Sequence, residues 1–572
     1  SLEAAQADLD ILARELEKIY PEENTGRRFL LIPLHESLVR NVKRALLILF
    51  GAVGFVLLIA CANVTNLSLS RASSRTKEIA VRASLGAGRY RLARLLLTES
   101  LAIALLGGAL AVVFASWLMD AVVQWNPGNI ARLEEVTLDF RVFAATTIIS
   151  LITGILCGLA PALQAARLDL HASLKESFGA GTTRQRLRTG FAAAELALAL
   201  ILLAGAGLLI RSFYLLEKVD PGFPYQRLLT FNITLPLNNW ADITRRTQFF
   251  ADVSRRLQDL PGVKSIGATT ELPFGTGGIF HNFEIDGRPL KVGTEPEIWN
   301  RGISPDYFRT MGIPLLKGRF FSLDNRQNTL PVAIVNQKMV NEYFPGQDPI
   351  GKRLAWARED QRIWMTIVGV VGDIRGQALS LEEVSAIYTP IAQEQRFWKT
   401  WMNFVVSADV DPANLIPRIR SEIAAIDKNI PVVQIQMMED LIANSFVDRR
   451  FQLLLLGMFA FLAVALATVG VYGVIAYSVG CRKQEIGIRI AVGAQRADIF
   501  QWVLTQGMIV SVAGTFIGLT GVFLLTRLLR SFLFSITPTD PITLASVTCF
   551  LVFVTLAASL SPAYRASRTD PV

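Results

Sequence analysis

Seven stretches of this chain are too long and too apolar to serve as ordinary core helices. A bilayer's hydrocarbon layer is about 30 Å thick, and a helix needs about 20 apolar residues to cross it. Residues 45–69, 95–123, 140–163, 191–210, 453–479, 502–525 and 542–560 meet that requirement. In hydrocarbon every backbone N–H and C=O must be satisfied within the segment, which confines such stretches to helices. The third is expected to end at Pro161, and the fourth to be bounded by Arg188 and Arg211. Composition agrees: 51% of residues are hydrophobic and only 18% are charged, less charge than soluble chains usually carry.

The basic residues orient the spans. Arg71, Arg75, Lys77, Arg82, Arg89, Arg91 and Arg94 fall between spans one and two. Arg167, Lys175, Arg184, Arg186 and Arg188 fall between spans three and four, Arg482, Lys483, Arg489 and Arg496 between five and six, and Arg565 and Arg568 after span seven. The positive-inside rule places these regions in the cytoplasm. Residues 1–43, 126–136, 213–450 and 531–540 are then expected outside. The net charge of +9 therefore reads as membrane orientation, with no nucleic acid implied. Four cysteines, Cys61, Cys157, Cys481 and Cys549, leave 213–450 without any, so no disulfide framework is expected there.

A ten-residue phrase occurs twice. Glu78-Ile79-Ala80-Val81-Arg82-Ala83-Ser84-Leu85-Gly86-Ala87 and Glu485-Ile486-Gly487-Ile488-Arg489-Ile490-Ala491-Val492-Gly493-Ala494 share the pattern E-I-x-[VI]-R-x-x-[LV]-G-A. In each copy the glutamate and arginine are i,i+4 partners in the favourable order, and the glycine can close a helix in a left-handed conformation. The expectation is a short amphipathic helix at the cytoplasmic membrane surface. As a single copy it could be no more than an interfacial anchor; two copies favour a docking element. The duplication extends further. Spans three and seven both end in P-A-x-x-A-x-R-x-D, from Pro161 to Asp169 and from Pro562 to Asp570. One membrane module has been used twice.

The region between spans four and five reads as α+β. Residues 228–235, 263–270, 404–407 and 430–435 carry strand patterns, and 243–260 and 413–426 helical ones. The resulting βαβ, insertion, βαβ order is expected to pair as one split sheet. The insertion, 274–400, has short strands at 331–335 and 366–371 and a helix at 337–344, and is read as a second lobe.

Catalytic signals are weak. His35, His171 and His281 are far apart in this topology and read as ordinary surface or loop residues. No H-E-x-x-H, G-x-S-x-G or C-x-x-C occurs, so no catalytic residue, metal or cofactor is expected in the chain. No phosphate-cradling G-x-x-x-x-G-K-[ST] is present either, so ATP hydrolysis needs another chain or a region upstream of Ser1. Asn63, Thr65, Asn66, Glu99 and Glu195 lie in or near spans. The two glutamates sit near cytoplasmic ends, where headgroup water is close, and are expected to pack helices or sit at the interface.

The doubled phrase, the P-A-x-x-A-x-R exit and the stretch Ile303-Ser304-Pro305-Asp306-Tyr307-Phe308-Arg309-Thr310-Met311-Gly312-Ile313-Pro314-Leu315-Leu316-Lys317-Gly318-Arg319 resemble permeases of the MacB/FtsX/LolC type of ABC transporter. Val332–Asn336, Asp348-Pro349-Ile350-Gly351-Lys352 and Ile367-Val368-Gly369-Val370-Val371-Gly372-Asp373 continue the likeness. The resemblance covers nearly the whole chain. It implies an α-helical bundle with an α+β periplasmic domain made of a ferredoxin-like lobe and an inserted second lobe. It implies five parts: 1–40, the C-terminal end of a first periplasmic domain; 41–170, a three-span permease unit; 171–212, a cytoplasmic linker and the fourth span; 213–450, a periplasmic core domain; and 451–572, a second three-span unit. Both ends are expected to be cuts in a longer chain of eight spans.

By the same resemblance, Glu78, Ile79, Arg82, Leu85, Gly86 and Ala87, with Glu485, Ile486, Arg489, Val492, Gly493 and Ala494, would couple to a cytoplasmic ABC ATPase subunit. That subunit, acting as a dimer, would hold ATP and Mg. The implied setting is the bacterial inner membrane, in contact with lipid, with a periplasmic adaptor or a hydrolase as further partners. The implied activity is export by mechanotransmission; the alternative is ATP-driven regulation of a periplasmic enzyme such as a cell-wall hydrolase. Family permeases carry one four-span unit and pair as dimers. Two units in one chain resemble duplicated permeases of soil bacteria such as acidobacteria, and imply a full-length chain that is a pseudo-dimer by itself.

Overall fold

The computed structural model describes residues 1–74, 89–125, 139–166, 180–236, 240, 242–275, 278, 280–288, 296–326, 328–357, 363–376, 383–393, 400–529 and 533–568. They divide into two compact units. One comprises Leu38–Leu215 with Val447–Val572, the other Ser1–Ser37 with Leu216–Phe446.

The first unit is the membrane bundle. Among the described residues its seven long helices are Leu34–Ser74, Arg89–Trp125, Phe140–Ala166, Ala180–Glu217, Val447–Cys481, Arg496–Leu529 and Pro541–Ser567, here spans one to seven. Each contains a segment long and apolar enough to cross a bilayer. Span four is the most buried of the seven, while Phe114, Trp117, Phe461, Phe516 and Phe553 on other spans are exposed. An apolar surface of that extent is one that lipid covers.

Two expectations about span ends are corrected. The third helix continues through Pro161 to Ala166, and the seventh likewise contains Pro562. A proline deletes one i→i−4 bond and crowds a carbonyl, costing about 3 kcal/mol in a helix interior. Around Pro562 the helix is held by packing, because Pro562, Ala563 and Ala566 are all buried. Nor does Arg188 bound span four. It lies inside a longer helix, buried, with its guanidinium 3.6 Å from the centroid of the Tyr477 ring.

In lipid, apolar surface alone does not drive helices together, so close packing of small residues does. Gly154 and Gly158 of span three form a G-x-x-x-G face against span two: a β-carbon on Gly154 would sit 3.1 Å from Leu101 Cα, and one on Gly158 3.0 Å from Leu97 Cδ2. Span six repeats the device against span four. A β-carbon on Gly514 would meet Leu196 Cβ at 2.7 Å, and one on Gly518 would meet Ala197 Cα at 3.1 Å.

Of the two roles expected for Glu195, the structure gives helix packing and not the interface, because the residue is fully buried within the bundle. Asn66 Nδ2 of span one donates to Glu195 Oε1 at 3.4 Å, and Asn63 Nδ2 donates to the Leu466 carbonyl of span five at 2.9 Å. These bonds tie the first three-span set to the second. A buried polar group in hydrocarbon is costly unless bonded, which makes span one's position specific. At the outer rim Asp540 caps span seven, its carboxylate accepting from Thr543 N at 2.9 Å and from the Arg211 guanidinium.

Among the described residues the second unit carries eleven strands: β1 Leu228–Thr234, β2 Val263–Thr269, β3 Phe280–Ile285, β4 Glu297–Ile303, β5 Leu315–Gly318, β6 Val332–Asn336, β7 Arg353–Trp356, β8 Met365–Val371, β9 Ala386–Pro390, β10 Trp401–Ala408 and β11 Val432–Met437. The first lobe is the expected split sheet, in order β11-β1-β10-β2 with antiparallel pairs. Helices Ile243–Gln258 and Ile416–Ile426 bury Phe249, Phe250, Val253, Leu257, Ile419 and Ile423 against it. Phe231 and Phe404, register partners on β1 and β10, stack with centroids 5.0 Å apart, a contact adding about 0.5–1.5 kcal/mol beyond its area.

The inserted lobe is a closed ring. Its strands run β4-β3-β7-β8-β6-β9, and β9 pairs in parallel with β4. The two lobes share one hydrogen-bonded sheet through the single pair Thr269↔Ile303. At this seam Thr270 N donates to Gly302 O at 2.9 Å, and Gly302 N donates to Thr270 Oγ1 at 3.0 Å. The Ser304–Gly318 motif builds the next turn. Ser304 exchanges two 2.8 Å bonds with Ala268, and the short helix Tyr307–Met311 ends on Gly312 at φ +70°. Only glycine suits that position, since a β-carbon there would also lie 2.6 Å from Pro224 Cγ. The Val332–Asn336 motif ends in an N-cap. Asn336 Oδ1 accepts from Met339 N at 3.2 Å and from Ala386 N at 2.8 Å. Asp373 accepts from Lys338 N at 2.7 Å, and burial pushes its carboxyl above the ordinary carboxylate range despite that bond.

His281 is no loop residue. It sits on β3, partly buried, with its ring 5.3 Å from that of Trp356. His35 lies in the first turn of the span-one helix, and His171 lies outside the described residues.

Candidate functional site

The second copy of the phrase forms a helix of its own, Lys483–Ala491, laid down between spans five and six. Its local logic is visible in the sequence. Arg482 breaks from span five at φ −109°, ψ 19°. The helix closes at Gly493, φ +109°, where Gly493 N donates to Ile490 O at 3.0 Å and Ala494 N to Arg489 O at 2.9 Å. That is the glycine closure expected of the motif. Beyond it Gln495 N donates to Asp498 Oδ2 at 2.9 Å, starting span six.

The helix has two faces. Ile486 is 1% exposed and belongs to the bundle core, whereas Ile488 is 64% and Val492 83% exposed. On the polar side Arg489 donates to Glu485 Oε1 at 2.6 Å. Half-exposed, this i,i+4 pair contributes only about 0.3–0.5 kcal/mol, so it orients the two side chains more than it stabilises the helix.

A network missed by sequence reasoning anchors the helix to three spans. The guanidinium carbons of Arg482 and Arg489 lie 5.2 and 5.5 Å from the Trp502 ring of span six. Arg482 Nη2 donates to Gln185 Oε1 of span four at 3.0 Å. Gln185 Nε2 in turn donates to Ser478 Oγ at 3.0 Å, and Ser478 to Gln506 Oε1 at 2.9 Å. Each cation–π contact contributes about 0.5–1 kcal/mol. In the sequence Arg482 read only as an orienting charge and Trp502 only as the start of an apolar span; their pairing needs the fold. The other copy's residues, Glu78, Ile79, Arg82, Leu85, Gly86 and Ala87, lie outside the described residues.

On this surface an exposed isoleucine and valine stand beside an oriented Glu–Arg pair. Among the described residues, no group of three or more His, Cys, Asp or Glu could hold a metal ion.

A seven-helix bundle with one large α+β domain between spans four and five defines a multi-pass membrane protein with a substantial extramembranous domain. Its relatives name the class more closely. The FtsX-like permease C-terminal family matches twice, at residues 50–170 and 457–571, and the MacB-like periplasmic core domain matches 217–426. The chain belongs to the MacB/FtsX type of ABC permease, internally duplicated, and is a multi-pass membrane protein with a periplasmic domain.

It is 30% identical over 287 residues to Macrolide export ATP-binding/permease protein MacB 2 of Aeromonas hydrophila, covering 47% of this chain and 42% of that protein. It is 27% identical over 368 residues to the MacB of Azoarcus sp., covering 62% and 50%. It is 25% identical over 268 residues to Pyoverdine export ATP-binding/permease protein PvdT of Pseudomonas syringae, covering 45% and 40%. The chain thus spans half or less of the length of these relatives. The periplasmic region of MacB from Actinobacillus actinomycetemcomitans aligns at 13% identity and a TM-score of 0.27, covering 40% of this chain and 95% of that one, a likeness too slight to carry an argument.

Proposed function

We propose that this chain is the permease part of an ABC-type exporter of the bacterial inner membrane. ATP hydrolysis is supplied by a cytoplasmic ATPase subunit, acting as a dimer that holds ATP and Mg, and this chain itself carries no cofactor. The ATPase pushes on the two copies of the phrase, 78–87 and 485–494. Spans four and five, which lead into and out of residues 213–450, carry the displacement to the periplasmic domain. Substrate is collected from the periplasm or the outer leaflet and driven outward, without a polar pore. The observation that carries this reading is the two-faced helix Lys483–Ala491, anchored by Ile486 and presenting Ile488, Val492, Glu485 and Arg489 outward. Residues 1–40 are the end of a first periplasmic domain, and the full chain acts as a pseudo-dimer.

Relatives named for macrolide and pyoverdine export differ too much in cargo to choose one for this chain. The regulatory alternative uses the same helices and differs only in what the periplasmic domain holds.

The test is co-purification from native membranes with an ATPase assay. Arg489→Ala combined with Arg82→Ala is expected to lower ATPase retention about 5- to 30-fold, as loss of an interfacial arginine anchor does. Unchanged binding and activity would refute the coupling role. A cell-wall hydrolase captured on residues 213–450, in place of an adaptor or cargo, would convert the reading to regulation.

A further inference from the structure

Arg301 on β4 is wholly buried, and its Nε, Nη1 and Nη2 have no hydrogen-bond partner. Among the described residues no carboxylate lies within ion-pair distance of it. A guanidinium keeps its charge in any protein environment, and an uncompensated buried charge is among the costliest features a fold can hold.

Its surroundings are built, not accidental. Trp299, two residues earlier on the same face of β4, lies under the guanidinium, 3.9 Å from ring centroid to Cζ. The indole N–H is engaged with Glu271 Oε2 at 2.6 Å, and a β-carbon on Gly376 would fall 1.5 Å from the ring, so the tryptophan is fixed in place. Stacking occupies the face of the guanidinium and leaves its edge N–H groups to be satisfied.

Two phenols join it. Tyr388 is the β9 register partner of Arg301, and Tyr307 stands on the short helix that follows β4. Both are fully buried, and both hydroxyls lack a partner. Both phenol oxygens stand close enough to the guanidinium for its charge and its N–H groups to lower them, although the contacts fall short of full hydrogen-bond geometry. Burial raises both phenols above their ordinary pKa, more than Arg301 lowers them. At neutral pH the cluster therefore offers guanidinium N–H and phenol O–H donors around one positive charge.

We propose that Arg301, Tyr307 and Tyr388 form a binding site for a small monovalent anion, chloride or a carboxylate, beside the seam where the two lobes join. The site lies next to the Thr269↔Ile303 pair, so occupancy stabilises the junction between the lobes. Chloride comes from solution, whereas a carboxylate would belong to an organic ligand; both satisfy the same donors.

The experiment uses the full chain in lipid nanodiscs, with unfolding followed by tryptophan fluorescence. Sodium HEPES, a bulky sulfonate, is replaced at constant ionic strength by sodium chloride in one arm and by sodium acetate in the other. An unfolding midpoint that rises with anion and follows a binding isotherm is expected. A response to chloride alone identifies an inorganic ion, and one to acetate identifies a carboxylate ligand. Arg301→Met is expected to fold and to lose the anion dependence entirely, since a hydrophobic residue of similar volume removes the charge that needs a partner. Tyr307→Phe combined with Tyr388→Phe keeps the shape, removes both hydroxyls and should raise the half-saturating anion concentration about tenfold. That variant decides the matter if Arg301→Met does not fold. A wild-type midpoint unaffected by either anion, or an anion response that survives these substitutions unchanged, would overturn the proposal.

Discussion

Gly470 of span five is the place where the membrane bundle should be most sensitive to one added methyl group. A β-carbon there would lie 1.8 Å from Glu195 Oε2 and 2.8 Å from Asn63 Oδ1. Glu195 is fully buried on span four, so its carboxylate cannot swing into open space. It is, however, the tip of a flexible side chain, and the backbone need not move. The cost of Gly470→Ala is therefore that of overpacking, about 1–3 kcal/mol. Much of it should come from breaking the 3.4 Å contact from Asn66, since interhelical polar bonds in membranes contribute about 0.6–2 kcal/mol. The assay is unfolding of the full chain in mixed detergent micelles titrated with SDS, read by circular dichroism. A double-mutant cycle gives the specific test. In a Glu195→Ala background the added methyl has room, and a coupling energy of about 1–2 kcal/mol is expected for two groups in contact. The reasoning fails if Gly470→Ala unfolds with the wild type, or if its cost is the same in both backgrounds.

Two further substitutions probe the ends of elements. Gly312→Ala, at φ +70° and 2.6 Å from Pro224 Cγ, should destabilise the periplasmic unit by about 1–3 kcal/mol, seen as earlier loss of its tryptophan signal. Asp540→Ala removes the N-cap of span seven and the partner of Arg211, and should cost about 1–2 kcal/mol. Burial alone would raise the Asp540 carboxyl, but the Thr543 hydroxyl and N–H together with Arg211 outweigh it and hold the group below the ordinary range. A depressed folded-state pKa gives stability that is full above the unfolded value near pH 4 and is lost as pH falls through the folded value. Acid titration of stability should show that loss in the wild type, and Asp540→Ala should remove this contribution.

The seven spans were legible because hydrocarbon permits only one solution to a 20-residue apolar stretch. The split sheet was legible because strands and helices alternate with different periods around 228–270 and 401–437. Pro161 misled at the end of span three, where the helix runs on to Ala166; at Pro562 of span seven the local rule yields to packing within the bundle. Ring closure in the inserted lobe was not legible. It depends on the parallel pair β4–β9, whose members are some 85 residues apart in sequence and which no turn residue announces. Arg301 was invisible for a different reason: arginine in a strand ordinarily reads as a solvated side chain, and only the fold reveals it as enclosed. Around Lys483–Ala491 the charge pair and the closing glycine could be read from spacing, but Trp502 and Gln185 could not, because they come from other spans.

The closed ring of β4, β3, β7, β8, β6 and β9 has a consequence for how such a domain survives among concentrated neighbours. A sheet that ends presents a row of unsatisfied amides, which other chains can extend into aggregates. The six ringed strands offer no terminal strand; β5, which pairs with β8 alone, leaves a free edge of only four residues, Leu315–Gly318. At the far end of the sheet the exposed row belongs to β11, and there Gln434 adopts φ +52° beside an irregular register with β1. That kink spoils the flat template an adhering strand would need. A domain with so little free edge thereby limits its exposure to runaway strand addition.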